Sequence, residues 1–222
     1  KTSKMNFLQT IMGKKILMAI TGIMFCFFLL LHLLNNLTLF VGAETFNALV
    51  SSLEAVKPII RIIELLLLLI LVVHIYNAIS LFLKSKKARP VPYKINSQEN
   101  SNLTSRTMII SGLVIFLFLV VHLGTFWRTF QTINHHSNYY EIIINHQTIG
   151  FANPLITLLY MAASIFIGMH LKHGFESAFK TFGIHNGKIK TILSKVSIVF
   201  WFFVPAGFFI IAMWFGMIKG IL

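Results

Sequence analysis

Five apolar runs set the terms for this chain. They lie near residues 16–40, 59–83, 106–127, 151–171 and 196–218. Each is long enough to cross about 30 Å of hydrocarbon at about 1.5 Å per residue. A backbone in lipid has no water to bond, so each run must satisfy its own amide groups as a helix. The fold class that follows is all-α and integral to a membrane, with five transmembrane helices in one domain over residues 1–222. Composition agrees: 11% of the residues are charged, against about 25% in a typical soluble domain. The fourth run should continue beyond the membrane as an amphipathic helix, because LKHGFESAFKTFG stays apolar on one face until Gly183. Pro58 and Pro154 stand near the starts of the second and fourth runs, where proline is tolerated. Pro205 lies inside the fifth and should kink it, or mark a backbone group satisfied by a neighbour.

Lysine and arginine supply an orientation. Fifteen of them fall on one side: Lys1, Lys4, Lys14, Lys15, the six between Lys84 and Arg106, then Lys172, Lys180, Lys188, Lys190 and Lys195. Four fall on the other, Lys57, Arg61, Arg128 and Lys219. The basic side is expected to be the cytoplasmic face, with the amino terminus inside and the carboxyl terminus outside. The formal charge of +13 is mostly this asymmetry. It suits anionic lipid headgroups or an acidic docking partner, and no nucleic-acid motif accompanies it. The first run is too long for a signal peptide and no small-residue cleavage site follows it.

The chemistry open to the chain is narrow. A single cysteine, Cys26, excludes disulfides, thiolate zinc sites and iron–sulfur clusters within the chain. No GxGxxG, Walker loop or CxxC occurs. The longest connections, about 85–105 and 128–150, are too short for a catalytic domain. Flavin or iron–sulfur chemistry would have to come from another polypeptide. His135, His136 and His146 in NHHSNYYEIIINH read as solvated loop histidines, since no second ligand cluster supports a metal there.

Four other histidines sit within apolar runs: His32, His74, His122 and His170, separated by 42, 48 and 48 residues. An unsatisfied imidazole in hydrocarbon costs about 1–3 kcal/mol. One on each of four helices calls for a common explanation, and axial ligation of haem iron supplies it. Depth sorts them. His32 and His122 each lie 16 residues from the start of an outgoing helix, about 24 Å from the cytoplasmic boundary. His74 lies 10 residues before Lys84 and His170 two before Lys172, both in the cytoplasmic half. The pairs are therefore His32 with His122 outside and His74 with His170 inside, two bis-histidine haems b stacked within a four-helix core.

Offsets from these ligands pick out further positions. Gly22 and Gly112 each precede an outer histidine by ten residues, about 15 Å, which puts both at the inner level, where a missing side chain lets a haem approach the backbone. The same offset on the returning helices brings Glu64 and Tyr160 to the outer level. Glu64 can pair with Arg61, three residues earlier on the same face. A carboxyl beside an electron carrier can also exchange protons with a quinone. Propionates need donors near the aqueous boundaries. Lys14, Lys15, Lys172, His173 and Lys180 are candidates inside, Arg61 and Arg128 outside. His173 follows His170 by three residues and reads as a propionate or quinone-region group, not a ligand.

These residues resemble a known family. KKILMAITGIMFCFFLLLHLLNNL (14–37) and GMHLKHGFESAFKTFG (168–183) resemble the single-chain, five-span, di-haem cytochrome b anchor of succinate dehydrogenase/fumarate reductase, in its Bacteroidetes-type branch. The resemblance covers essentially the whole chain. It implies that first- and third-span histidines bind the distal haem and second- and fourth-span histidines the proximal one, the pairing that depth gives independently. It further implies flavoprotein and iron–sulfur partners on the cytoplasmic face, a quinone substrate (menaquinone), and a complex that can form higher oligomers. Some fumarate reductases of this family carry a glutamate for transmembrane proton transfer two residues before the fourth-span histidine. Here that residue is Gly168, and the acids left near the outer site are Glu44, Glu54 and Glu64. Two other readings compete: a haem b anchor of a hydrogenase or formate dehydrogenase, and a non-redox transporter. A transporter calls for broken helices and mixed midplane polarity, whereas midplane polarity here is almost all histidine.

Overall fold

A computed structural model of the chain describes residues 6–87, 107–132, 138–184 and 186–219. It is helical, with no strand among the described residues. Five helices are long and apolar enough to cross a membrane: α1 (Ile11–Phe40), α3 (Lys57–Lys87), α4 (Met108–Thr132), α6 (Pro154–Thr181) and α7 (Gly187–Ile218). Two short helices, α2 (Ala43–Ala55) and α5 (Tyr139–Ile144), join them at one end.

Local chemistry sets the boundaries. Thr10 caps α1, its hydroxyl accepting from Gly13 N at 3.0 Å. Asn153 caps α6 by accepting from Leu155 N at 3.0 Å, with Pro154 in the first turn, where its missing N–H costs nothing. Helix α6 runs on to Thr181 and stops at Gly183, whose φ of 81° is in the left-handed region. Pro205 is accommodated by a wider π-type turn over Val199–Phe203 just ahead of it.

The basic residues gather at one end. Lys14 at the start of α1 donates to Ser80 near the end of α3, and Phe175 of α6 stacks on Phe200 of α7 at 5.2 Å. We call this the basic end. At the far end, α2 and α5 close over the helices. Asn47 donates to Asn138 Oδ1 at 2.7 Å and accepts from Tyr140 N at 2.9 Å. Lys219 Nζ donates to Tyr140 Oη at 2.8 Å, tying the end of α7 to this cap. Beneath lies the larger apolar cluster, including Leu39, Phe46, Phe126, Tyr139, Ile143 and Phe215.

Close helix contacts run in the series α3–α1–α6–α4, and α7 packs across α6 and α1. These contacts do not by themselves show the four-helix bundle expected from the sequence, because no close seam joins α3 to α4. Between α3 and α4 the links are side chains, Arg61 to Gln131 and Trp127 to Glu64, not a packed backbone seam. The physical reason lies in where small residues fall, since helices approach closely in lipid only at such positions. They line α6 and α7: Ala163 and Ala212 are fully buried, and a Cβ on Gly216 would stand 2.1 Å from Thr157 Oγ1. A Cβ on Gly207 would meet Leu33 of α1 at 2.7 Å. Gly216→Leu is therefore expected to destabilise the fold by about 1–3 kcal/mol, read as a lowered thermal midpoint in detergent. An unchanged midpoint would mean that α7 is free to slide.

Candidate functional site

The four intramembrane histidines meet in two pairs, each linking helices that are not neighbours in the contact series. At the far level, His32 of α1 and His122 of α4 have ring centres 5.9 Å apart. Nearer the basic end, His74 of α3 and His170 of α6 have ring centres 6.4 Å apart. Two imidazoles on opposite sides of one metal, each bonded at about 2.0–2.1 Å, have ring centres roughly 6–6.5 Å apart. The basic-end spacing of 6.4 Å falls in that range, and the far spacing of 5.9 Å lies just below it.

The basic-end pair is held by hydroxyls. Thr21 Oγ1 lies 2.9 Å from His74 Nδ1, and it also lies 2.8 Å from the carbonyl of Leu17. Ser111 Oγ lies 3.2 Å from His170 Nδ1 and 3.0 Å from the carbonyl of Met108. A hydroxyl has one proton. With that proton on the backbone carbonyl, which can only accept, each hydroxyl oxygen is left to accept from its histidine. Both imidazoles are then Nδ1–H tautomers with the Nε2 lone pair free, the form that binds a metal. Gly22 and Gly112 flank these rings. A Cβ on Gly22 would stand 3.7 Å from His74 Cε1, and one on Gly112 would stand 3.4 Å from His170 Cε1. The glycines occupy the level that the ten-residue offset indicates, and they lie against the imidazoles themselves.

The far pair is held mainly by rings. His32 stacks on Phe28 at 5.4 Å and meets Phe208 at 5.7 Å. His122 stacks on Phe118 at 5.7 Å, and its Nδ1 lies 2.9 Å from Tyr160 Oη. Directly after His122 the helix widens into a π-type turn, Leu123–Trp127. Thr125 donates there to the carbonyl of Val121 at 2.8 Å, and such turns often mark functional positions.

Outward of this pair is a polar cluster. Arg61 Nη1 donates to Glu64 Oε2 at 2.6 Å, Arg61 also donates to Gln131, and Trp127 Nε1 donates to Glu64 Oε1 at 2.9 Å. Both carboxylate oxygens of Glu64 are thus engaged by donors. Arg128 is exposed at the same end. Glu54 pairs with Lys57 at 2.7 Å, and Glu44 is exposed in the first turn of α2.

The cations at the basic end differ. Lys14 is buried, bonded to Ser80, and 5.0 Å from the Tyr76 ring. Lys15 is exposed. Lys180 is exposed and 3.8 Å from Glu176, while His173 is partly buried. Lys172 does not share the histidine face of α6. Two residues past His170 the helix has turned by about 200°, and Lys172 Nζ lies 4.8 Å from the Trp201 ring of α7. A side chain at 168 would meet α7 as well, since a Cβ there would stand 3.0 Å from the Trp201 carbonyl. Pro205 has no N–H to offer that carbonyl.

His135 and His136 lie outside the described residues. His146 caps a turn, its Nδ1 accepting from Thr148 N at 3.2 Å. Among the described residues no group of three or more histidine, cysteine or acidic side chains converges. Sequence reasoning missed Thr21, Ser111 and Gln131. The first two carry a usable signal: in Thr21–Gly22 and Ser111–Gly112 a hydroxyl residue precedes the glycine at matching offsets from His32 and His122.

Nitrogen-15 NMR of histidine-labelled, haem-free protein is expected to show His74 and His170 protonated at Nδ1 and bare at Nε2, with Thr21→Val mixing the tautomers of His74 alone. Protonated Nε2 in the unmutated protein would contradict the hydroxyl assignment. No protein-family model, curated protein or solved structure matches this chain.

Proposed function

We propose that the chain is a di-haem cytochrome b membrane anchor of a succinate dehydrogenase/fumarate reductase complex. It carries electrons between an iron–sulfur subunit on the basic, cytoplasmic face and a membrane quinone. The observation that supports this reading is the meeting of four intramembrane histidines as two pairs, at two depths, with spacings of 5.9 and 6.4 Å. His32 and His122 would hold the far haem b, and His74 and His170 the one nearer the basic end. When bound, each haem supplies a one-electron iron couple.

The chain's own residues set the conditions for that couple. Thr21 and Ser111 hold the imidazoles by Nδ1 and raise the basicity of Nε2. Phe28, Phe118 and Phe208 surround the far pair with apolar rings that exclude water. Lys14, Lys15, His173 and Lys180 are the donors within reach of the basic boundary for propionates, with Arg61 and Arg128 at the far boundary. Lys172 is withdrawn from that set because it faces Trp201.

Glu64 is the group best suited to pass protons at the far end. Arg61 and Trp127 fix its two oxygens, so the carboxylate is oriented and charge-compensated until a quinone carbonyl competes for those donors or a quinol hydroxyl donates to it. A positioned acid or base of this kind contributes about 10²–10⁴-fold. Flavoprotein and iron–sulfur partners, and menaquinone as the quinone, follow from the family resemblance.

Purified protein is expected to carry two haems b with a six-coordinate, low-spin bis-imidazole spectrum. Protein that folds and binds no haem would overturn the proposal. Glu64→Gln should slow quinone turnover by about 10²-fold or more while both haems remain. Unchanged turnover would reduce Glu64 to a structural ion pair with Arg61. Thr21→Val should raise the midpoint potential of the basic-end haem alone, because a less basic imidazole stabilises the ferric state less. A shift confined to the far haem would contradict the assignment of levels.

A further inference from the structure

Along the lipid-facing side of the α6–α7 seam runs a groove of about 470 Å³. Its floor is small: Ser164, Gly168 and Ala206 bring the two helices together and leave no side chain to fill the outer side. Its rim is apolar and open sideways, with Ile165, Phe202 and Ile210 each about half exposed. Charge enters at one place, the basic end, where Lys172 Nζ lies over Trp201.

We infer that this groove is a binding site for an anionic phospholipid, with an acyl chain along the seam and the phosphate at Lys172. Charge complementarity decides the occupant. Lys172 is exposed and has no carboxylate partner among the described residues, unlike Lys180, which has Glu176. A cation at the mouth of an apolar groove selects an amphiphile with an anionic head, and basic pockets between helices at the cytoplasmic boundary are where such heads bind. A quinone carbonyl could accept from the lysine but brings no charge to compensate it. The indole of Trp201 holds the ammonium at headgroup height, the level that tryptophan favours in membranes. Ile165 to Lys172 spans seven residues, about 10.5 Å of helix, so the groove reaches well into the hydrocarbon. Unlike the functional proposal, this inference does not depend on haem being bound.

The test is native mass spectrometry and lipid extraction of the full chain from nanodiscs of mixed phosphatidylglycerol and phosphatidylcholine. The unmutated protein should retain phosphatidylglycerol preferentially. Lys172→Gln should lower that retention about fivefold, Lys172→Arg should preserve it, and Ala206→Leu should abolish it by filling the groove. Thermal midpoints and haem spectra, recorded alongside, separate loss of lipid from loss of fold. Equal retention of the two lipids, retention unaffected by both Lys172→Gln and Ala206→Leu, or a quinone recovered in place of phospholipid would each overturn the inference.

Discussion

The arrangement of this protein depends on what an imidazole must do in hydrocarbon. Each of His32, His74, His122 and His170 brings a polar ring into a helix that has no other reason to be polar there, and leaving it unsatisfied costs about 1–3 kcal/mol. The fold answers by directing the rings toward one another in two pairs and placing hydroxyls on three of the four Nδ1 atoms. The helix packing accommodates those pairs. Helices α1 and α6 touch closely, whereas α3 and α4 meet through side chains. Each histidine pair reaches across this series, from α1 to α4 and from α3 to α6.

The two levels are built differently. At the basic end, a hydroxyl bonded to its own helix carbonyl acts as a fixed acceptor, so ring orientation is set by backbone geometry. At the far level, aromatic stacking and a π-type turn after His122 position the rings. Under the proposed function this difference matters, because hydrogen bonding to an axial imidazole and burial by apolar rings change a metal's potential in different ways. The polar cluster around Glu64 lies outward of the far pair and joins α3 to α4 where their backbones do not pack.

The spans, the level of each histidine and the pairing partners were legible in the sequence, because all three rest on counting residues along rigid helices. Arg61–Glu64 and Tyr160 beside the far pair follow from the same arithmetic. Helices α2 and α5 were not legible. Their stability comes from the Asn47–Asn138 bridge and from packing on the far-end cluster, contacts between residues distant in sequence. Lys172 was read by depth alone, and depth does not say which way a side chain faces: its rotation away from His170 sends it to Trp201. Thr21 and Ser111 leave a trace in the hydroxyl–glycine dipeptide that occurs twice, but a hydroxyl within a helix commonly bonds its own backbone, so its bond to a histidine on another helix is not read from spacing.

The most direct test of the central claim compares two double variants, with haem per chain measured by pyridine haemochrome assay. If His74 and His170 serve one haem and His32 and His122 the other, His74→Ala with His170→Ala should leave one haem per chain. His74→Ala with His122→Ala, which breaks one ligand at each level, should leave none. One haem retained by the second variant and none by the first would contradict the pairing.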